Sequence, residues 1–152
     1  MNMKNEIDQF ISHEVIAVVG ASRNPRKFGN IVLRKLISRN YHVLPVNPNA
    51  AVVESLACFP DFKSLPQKPD GAVFIVPPTQ TMLMAKEAVE LGVNWIWMQP
   101  GSESEEAIRF CINHGVSLIH GDCILMFLDN NAFIHRVHRL IKKISGKLYS
   151  EE

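Results

Sequence analysis

The chain has 152 residues, 47% hydrophobic and 20% charged, with 16 Lys and Arg against 15 Asp and Glu for a formal net charge of +1. That length suits one domain burying roughly two-thirds of its unfolded surface, and the near-neutral balance argues against a broad nucleic-acid footprint. No apolar run approaches the roughly 18 residues of a membrane span, and the polar, acidic N-terminus lacks the apolar core of a secretory signal, so a cytoplasmic protein is expected.

The first apolar run, Val15–Val19 (VIAVV), passes into Gly20, Ala21 and Ser22 and then a cationic stretch holding Arg23, Arg26 and Lys27. Helical spacing follows over residues 27–39, with Ile31, Val32 and Leu36 expected inward. A second apolar run, His42–Val46 (HVLPV), closes a strand–loop–helix–strand module of the kind that opens nucleotide-binding α/β folds. Residues 47–69, punctuated by Pro48, Pro60, Pro66 and Pro69, read as irregular chain with room for one helical turn.

A third strand is expected over 72–76 (AVFIV). A helix over 79–91 then follows a Pro-Pro turn and stops at Gly92, a left-handed cap. The fourth strand is 94–98 (NWIWM), followed by a helix over 102–113 in which Ser102 and Glu105 form a capping box. The fifth is 116–120 (VSLIH). Residues 130–147 read as an amphipathic C-terminal helix, with Ile134, Val137, Ile141 and Ile144 expected in one row and Arg136, Arg139, Lys142 and Lys143 among its basic residues. Packing on the core is its expected use, homodimerisation or contact with an acidic partner the alternative.

Continuous Val- and Ile-rich runs fit parallel strands covered on both faces. Right-handed crossovers between them give a single α/β domain with a doubly wound, parallel, five-stranded sheet. The expected strand order is 3-2-1-4-5.

The loop G-A-S-R-N-P-R-K-F-G carries the chemistry. Gly20 lets backbone pass close to a ligand, and successive amides plus the next helix N-terminus suit phosphate oxygens. The Ser22 hydroxyl adds a donor, Arg23, Arg26 and Lys27 add positive charge, and Gly29 allows close approach of the helix. The pattern is neither G-x-G-x-x-G nor G-x-x-x-x-G-K-[ST], which disfavours an NTPase. NAD sites place an acid about 20 residues on, at the end of the second strand. Here Val46, Asn47 and Pro48 stand there, which suits the phosphorylated ribose of coenzyme A or NADP. Val76, Pro77 and Pro78 would wall the cleft beside an adenine or pantetheine, and Gln99 and Gly101 would end the fourth strand at the same crevice.

Taken together, VVGASRNPRKFGNIV, NYHVLPVNP, DGAVFIVPP, WIWMQPG and GDCILM resemble the small stand-alone CoA-binding domain proteins. These are similar to the N-terminal domain of the succinyl-CoA synthetase alpha subunit. The resemblance spans residues 14–127, with Asn40 replacing a family glycine. It implies a Rossmann-like domain that binds coenzyme A at the carboxyl ends of the strands. On that likeness Gly20, Ala21, Ser22 and Arg23 hold the pyrophosphate, assisted by Arg26 and Lys27. Val46, Asn47 and Pro48 line the adenosine side, Val76, Pro77 and Pro78 the adenine or pantetheine, and Gln99 and Gly101 the pantetheine end. The synthetase's phosphohistidine belongs to a further domain, expected to be absent here, so His120 is not assigned that role.

Cys58, Cys111 and Cys123 are odd in number and lack CxxC spacing, so neither disulfide nor zinc site is expected. Cys123 is the best-placed nucleophile, though burial as a small apolar group is the simpler expectation. No carboxylate pair stands out: Asp61 and Asp70 read as turn residues and Asp129 as a cap for the terminal helix. The leading reading is a non-catalytic module for CoA or acyl-CoA, without nucleic-acid or membrane partner. The rivals are an NADP-binding oxidoreductase or redox-sensing domain, and an interaction subunit with a vestigial pocket.

Overall fold

The computed structural model describes residues 2–129; the expected helix over 130–147 lies outside them. In chain order the elements are α1 (Met3–Ile11), β1 (Val15–Val19), α2 (Phe28–Ser38) and β2 (His42–Val46), then a hairpin of β3 (Val52–Val53) and β4 (Leu56–Ala57). There follow β5 (Gly71–Phe74), α3 (Pro78–Leu91), β6 (Trp95–Met98), α4 (Glu105–Asn113), β7 (Ser117–Ile119) and α5 (Leu125–Leu128). Among the described residues no helix is long and apolar enough to cross a membrane.

The main sheet is parallel and five-stranded, in the order β2-β1-β5-β6-β7. Counting only its own strands, that order is 2-1-3-4-5, not the expected 3-2-1-4-5. Pro45 supplies the physical reason. Proline has no amide proton for a ladder and belongs on an edge strand, whereas the expected order would bury β2 between two neighbours. In the fold β2 is the edge, and the Pro45 carbonyl accepts from Phe59 N at 3.0 Å while Asn47 N donates to Phe59 O at 2.9 Å. The chain then crosses to the far side of β1, where β5 pairs Ala72 with Ala17 and Val73 with Val18. This puts the point where the winding reverses between β1 and β5, and such points are where open α/β sheets bind ligands.

Alternation along each strand divides the core. Ile16, Val18, Val73, Trp97 and Ile119 pack with Phe10, Ile11, Leu33 and Leu36, and so with α1 and α2. Ala17, Val19, Phe74, Ile96 and Met98 pack with Ala85, Ala88, Ala107 and Cys111 from α3 and α4. The result is a three-layer sandwich.

Several local expectations change. Ile31 is 41% exposed rather than inward, because α2 buries Gly29, Asn30, Val32, Leu33 and Leu36. Ser104, not Ser102, caps α4, its Oγ accepting from Ala107 N at 3.2 Å. Gly92 does end α3, with φ of 89°. The long connection holds the β3–β4 hairpin rather than a helical turn, and α1 arises where no element was expected: Asn2 caps it and Ile7, Phe10 and Ile11 are buried. The Tyr41 hydroxyl donates to Ile11 O and fastens α1 to the body.

Asp70 Oδ2 accepts from Glu14 N at 3.1 Å and Val15 N at 2.9 Å, anchoring the start of β1. Asp61 holds the Ser64 turn. Asp129 lies at the end of α5, ion-paired to Lys35 and Arg39 of α2; the hydrogen bonds from these cations hold its carboxyl below the usual range.

Candidate functional site

The carboxyl ends of the five strands bring the expected residues to one edge of the sheet, in the order 46–48, 20–23, 75–78, 99–101 and 120–123. Gly20 sets the geometry. Its φ is +120°, and a Cβ there would lie 1.9 Å from the Ile75 carbonyl oxygen. Ile75 N in turn donates to Val19 O at 2.7 Å, so the ends of β1 and β5 are locked together at the reversal of winding. A Cβ on Gly29 would come within 2.4 Å of Gly20 O. The first turn of α2 therefore rests directly on the loop.

Two asparagines clasp that loop. Asn47 Nδ2 donates to Ala21 O at 3.0 Å, while Asn47 Oδ1 accepts from Asn49 N at 2.8 Å. Asn30, 1% exposed, accepts from Ser22 N at 2.8 Å and donates back to Ser22 O at 2.7 Å. The Ser22 amide is thus committed to the protein rather than turned to the cleft. Ser22 Oγ accepts from Asn24 N at 3.1 Å.

Beyond this clasp the loop is open and cationic. Arg23, Arg26 and Lys27 are exposed and form no ion pair among the described residues, in contrast to Arg34, Lys35, Arg39 and Arg109. Lys27 occupies the N-cap of α2, and no side chain caps that end. Its leading amides, its dipole and three cations therefore converge on one short segment.

The remaining residues split into exposed and committed sets. Pro48, Pro77 and Pro78 are exposed and Val46 is buried. Val76 is half-buried, its amide donating to Ser102 Oγ at 3.0 Å, and Ser102 O accepts from Thr81 Oγ1 at 2.6 Å. Gln99 is 2% exposed, donating from Nε2 to Cys123 Sγ at 3.3 Å and accepting from Ile124 N at 2.8 Å. It ties the end of β6 to the segment after β7. Gly101 is exposed with φ of +95°. His120 Nδ1 lies 3.5 Å from Glu103 Oε2, a local pairing.

Burial pushes the Cys111 thiol up to about 11 and raises that of Cys58, so both are inert thiols rather than nucleophiles. Among the described residues, no group of three His, Cys, Asp or Glu is placed to hold a metal. Asn30, Ser102 and Glu54, which contacts Asn30 Nδ2 at 2.9 Å, had no part in the sequence-based site. An asparagine in the apolar row of α2 is the one available signal for the first.

An open parallel sheet with a glycine-tight, cation-bearing loop at its reversal point defines a Rossmann-like nucleotide-binding domain. Comparison with known proteins narrows this. Residues 14–129 match the CoA binding domain, and the chain belongs to that family. It is 28% identical over 131 residues to the alpha subunit of an ADP-forming acetate–CoA ligase II of Pyrococcus furiosus, covering 78% of this chain and 28% of that subunit. A conserved hypothetical protein of P. furiosus is structurally similar at a TM-score of 0.70 and 46% identity, covering 75% of this chain and 97% of that one. The dinucleotide-forming acetyl-coenzyme A synthetase 1 of Ca. Korarchaeum cryptofilum is similar at a TM-score of 0.64 and 30% identity, over 74% of this chain and 27% of the synthetase. The chain therefore spans only 28% of the length of the curated ligase subunit it matches, and 20% of a second, the ADP-forming acetate–CoA ligase I of Archaeoglobus fulgidus.

Proposed function

We propose that this protein binds coenzyme A or an acyl-CoA without a reaction of its own, with the phosphates held by the loop after β1. The observation that carries the reading is the loop itself: glycine-locked to Ile75, uncapped at α2, and bearing three cations with no partner among the described residues. The loop suits a phosphorylated ligand, because its exposed charge is positive and the N-terminus of α2 beside it carries no side-chain cap. Ala21 and Arg23, with Arg26 and Lys27, take the pyrophosphate. Ser22 shapes the turn through its Oγ and its clasp with Asn30. Val46, Asn47 and Pro48 flank the adenosine, and Val76, Pro77 and Pro78 line the wall toward Gln99 and Gly101. The acetate–CoA ligase subunit and the acetyl-coenzyme A synthetase named above support coenzyme A as the ligand class.

A binding role suits the groups at the far end of the cleft. The Cys123 sulfur accepts from Gln99 rather than facing a base, and His120 pairs with Glu103. The protein's residues bind and orient the nucleotide, and the thiol or thioester end is left to a partner reaction.

Replacing Arg23 with Ala tests the loop assignment. A charge-assisted bond to phosphate contributes about 1.5–3 kcal/mol, so calorimetric affinity for CoA should fall by that amount while the unfolding midpoint stays near the parent's. Unchanged affinity would place the phosphates elsewhere.

A further inference from the structure

Glu54 stands beside the loop assigned to phosphate, where simple electrostatics makes an anion unwelcome. Its backbone is unusual as well. It shares the turn of the β3–β4 hairpin with Ser55, at φ of 51° and 66°. Two-residue hairpin turns with positive φ at both centres favour Asn and Gly, so Glu and Ser hold a disfavoured conformation, a pattern that clusters at functional positions.

The contacts of the carboxylate give it a use. Glu54 Oε2 accepts from Asn30 Nδ2 at 2.9 Å and from Arg34 Nη1 at 2.8 Å. Each donor also grips one flank of Arg23. Asn30 clasps both backbone groups of Ser22, and Arg34 Nη1 donates to Pro25 O at 3.0 Å. One carboxylate oxygen therefore joins the two ends of the segment that carries Arg23. Arg34 balances its charge, so the acid is not a bare repulsive centre. Its side chain is only 18% exposed.

We infer that Glu54 is a positioning residue for the phosphate loop, fixing Asn30 and Arg34 so that the span from Ser22 to Pro25 presents Arg23 to the ligand. The hairpin in the long connection exists to deliver this carboxylate. The inference rests on the loop being the phosphate site, and it reverses the naive sign: removing an acid from an anion site should weaken binding.

Two readouts on Glu54→Ala and Glu54→Gln test it. The first is hydrogen exchange of the Ser22 amide in ligand-free protein; the second is calorimetric affinity for CoA. Loss of hydrogen bonds to a charged acceptor should speed Ser22 exchange and weaken CoA, each roughly tenfold, in Glu54→Ala. Glu54→Gln keeps one acceptor and a near-identical shape, so it folds like the parent and falls between. Asp61→Ala, which breaks only the turn to Ser64, should move neither readout. Affinity equal to or tighter than the parent's in both Glu54 variants overturns the inference, as does unchanged Ser22 protection. If the parent itself shows no affinity for CoA, the phosphate assignment fails, while Ser22 exchange still reports whether Glu54 holds the loop.

Discussion

Gly20→Ala should lose about 3 kcal/mol or more of stability, summing a disfavoured backbone and an overpacked contact, and with it the loop. The added methyl would lie 1.9 Å from the Ile75 carbonyl oxygen. Neither side can yield by a rotamer change, because the obstacle is backbone pinned by the Ile75–Val19 bond at 2.7 Å. Relief requires β1 and β5 to part at the reversal of winding. Gly101→Ala is the matched control: its φ is also positive, at +95°, but no heavy atom lies within 4 Å of the new methyl. That variant should lose only the conformational penalty of about 1–2 kcal/mol. Denaturant unfolding of the pair separates strain from collision; equal losses would show that the collision at Gly20 is relieved cheaply.

Trp97→Ala should cost about 3–5 kcal/mol, the range for truncating a large buried aromatic. The ring is fully buried and packs edge-on against Phe10 at 5.4 Å and tilted against Phe127 at 5.8 Å. Its Nε1 donates to Asp122 O at 2.8 Å, so truncation also strips a donor from the segment beside Cys123. Trp97→Phe keeps most of the ring contact and should lose less. A loss under about 1 kcal/mol for the alanine variant, well below that range, would mean that α1 and α5 do not close over this face as described.

The sequence exposed what depends on near neighbours. Val15–Val19 and His42–Val46 are strands with the expected ends, since continuous branched residues suit a sheet covered on both faces. Gly92 closes α3 because only a residue tolerant of positive φ ends a helix that way. The strand order differs from the expected 3-2-1-4-5, although Pro45, which belongs on an edge, carried the signal for it. The N-terminal helix had its signal in the spacing of Ile7, Phe10 and Ile11, masked by the polar residues between them.

The clasp around the loop was of another kind. Asn30 meets Ser22 across one helical entry, and Glu54 reaches Asn30 from 24 residues away. The turn that brings it there carries neither Asn nor Gly to announce it. Such contacts come from tertiary placement, which periodicity does not encode. The same holds for Ser102, whose hydroxyl serves Val76 rather than capping α4.

The most direct measurement is calorimetric titration of the purified protein, stripped of carried-over nucleotide, with CoA, NADP and NAD in parallel. Micromolar binding of CoA is expected, with NADP weak and NAD weaker. Preferential binding of NADP, or of no ligand in the set, would contradict it.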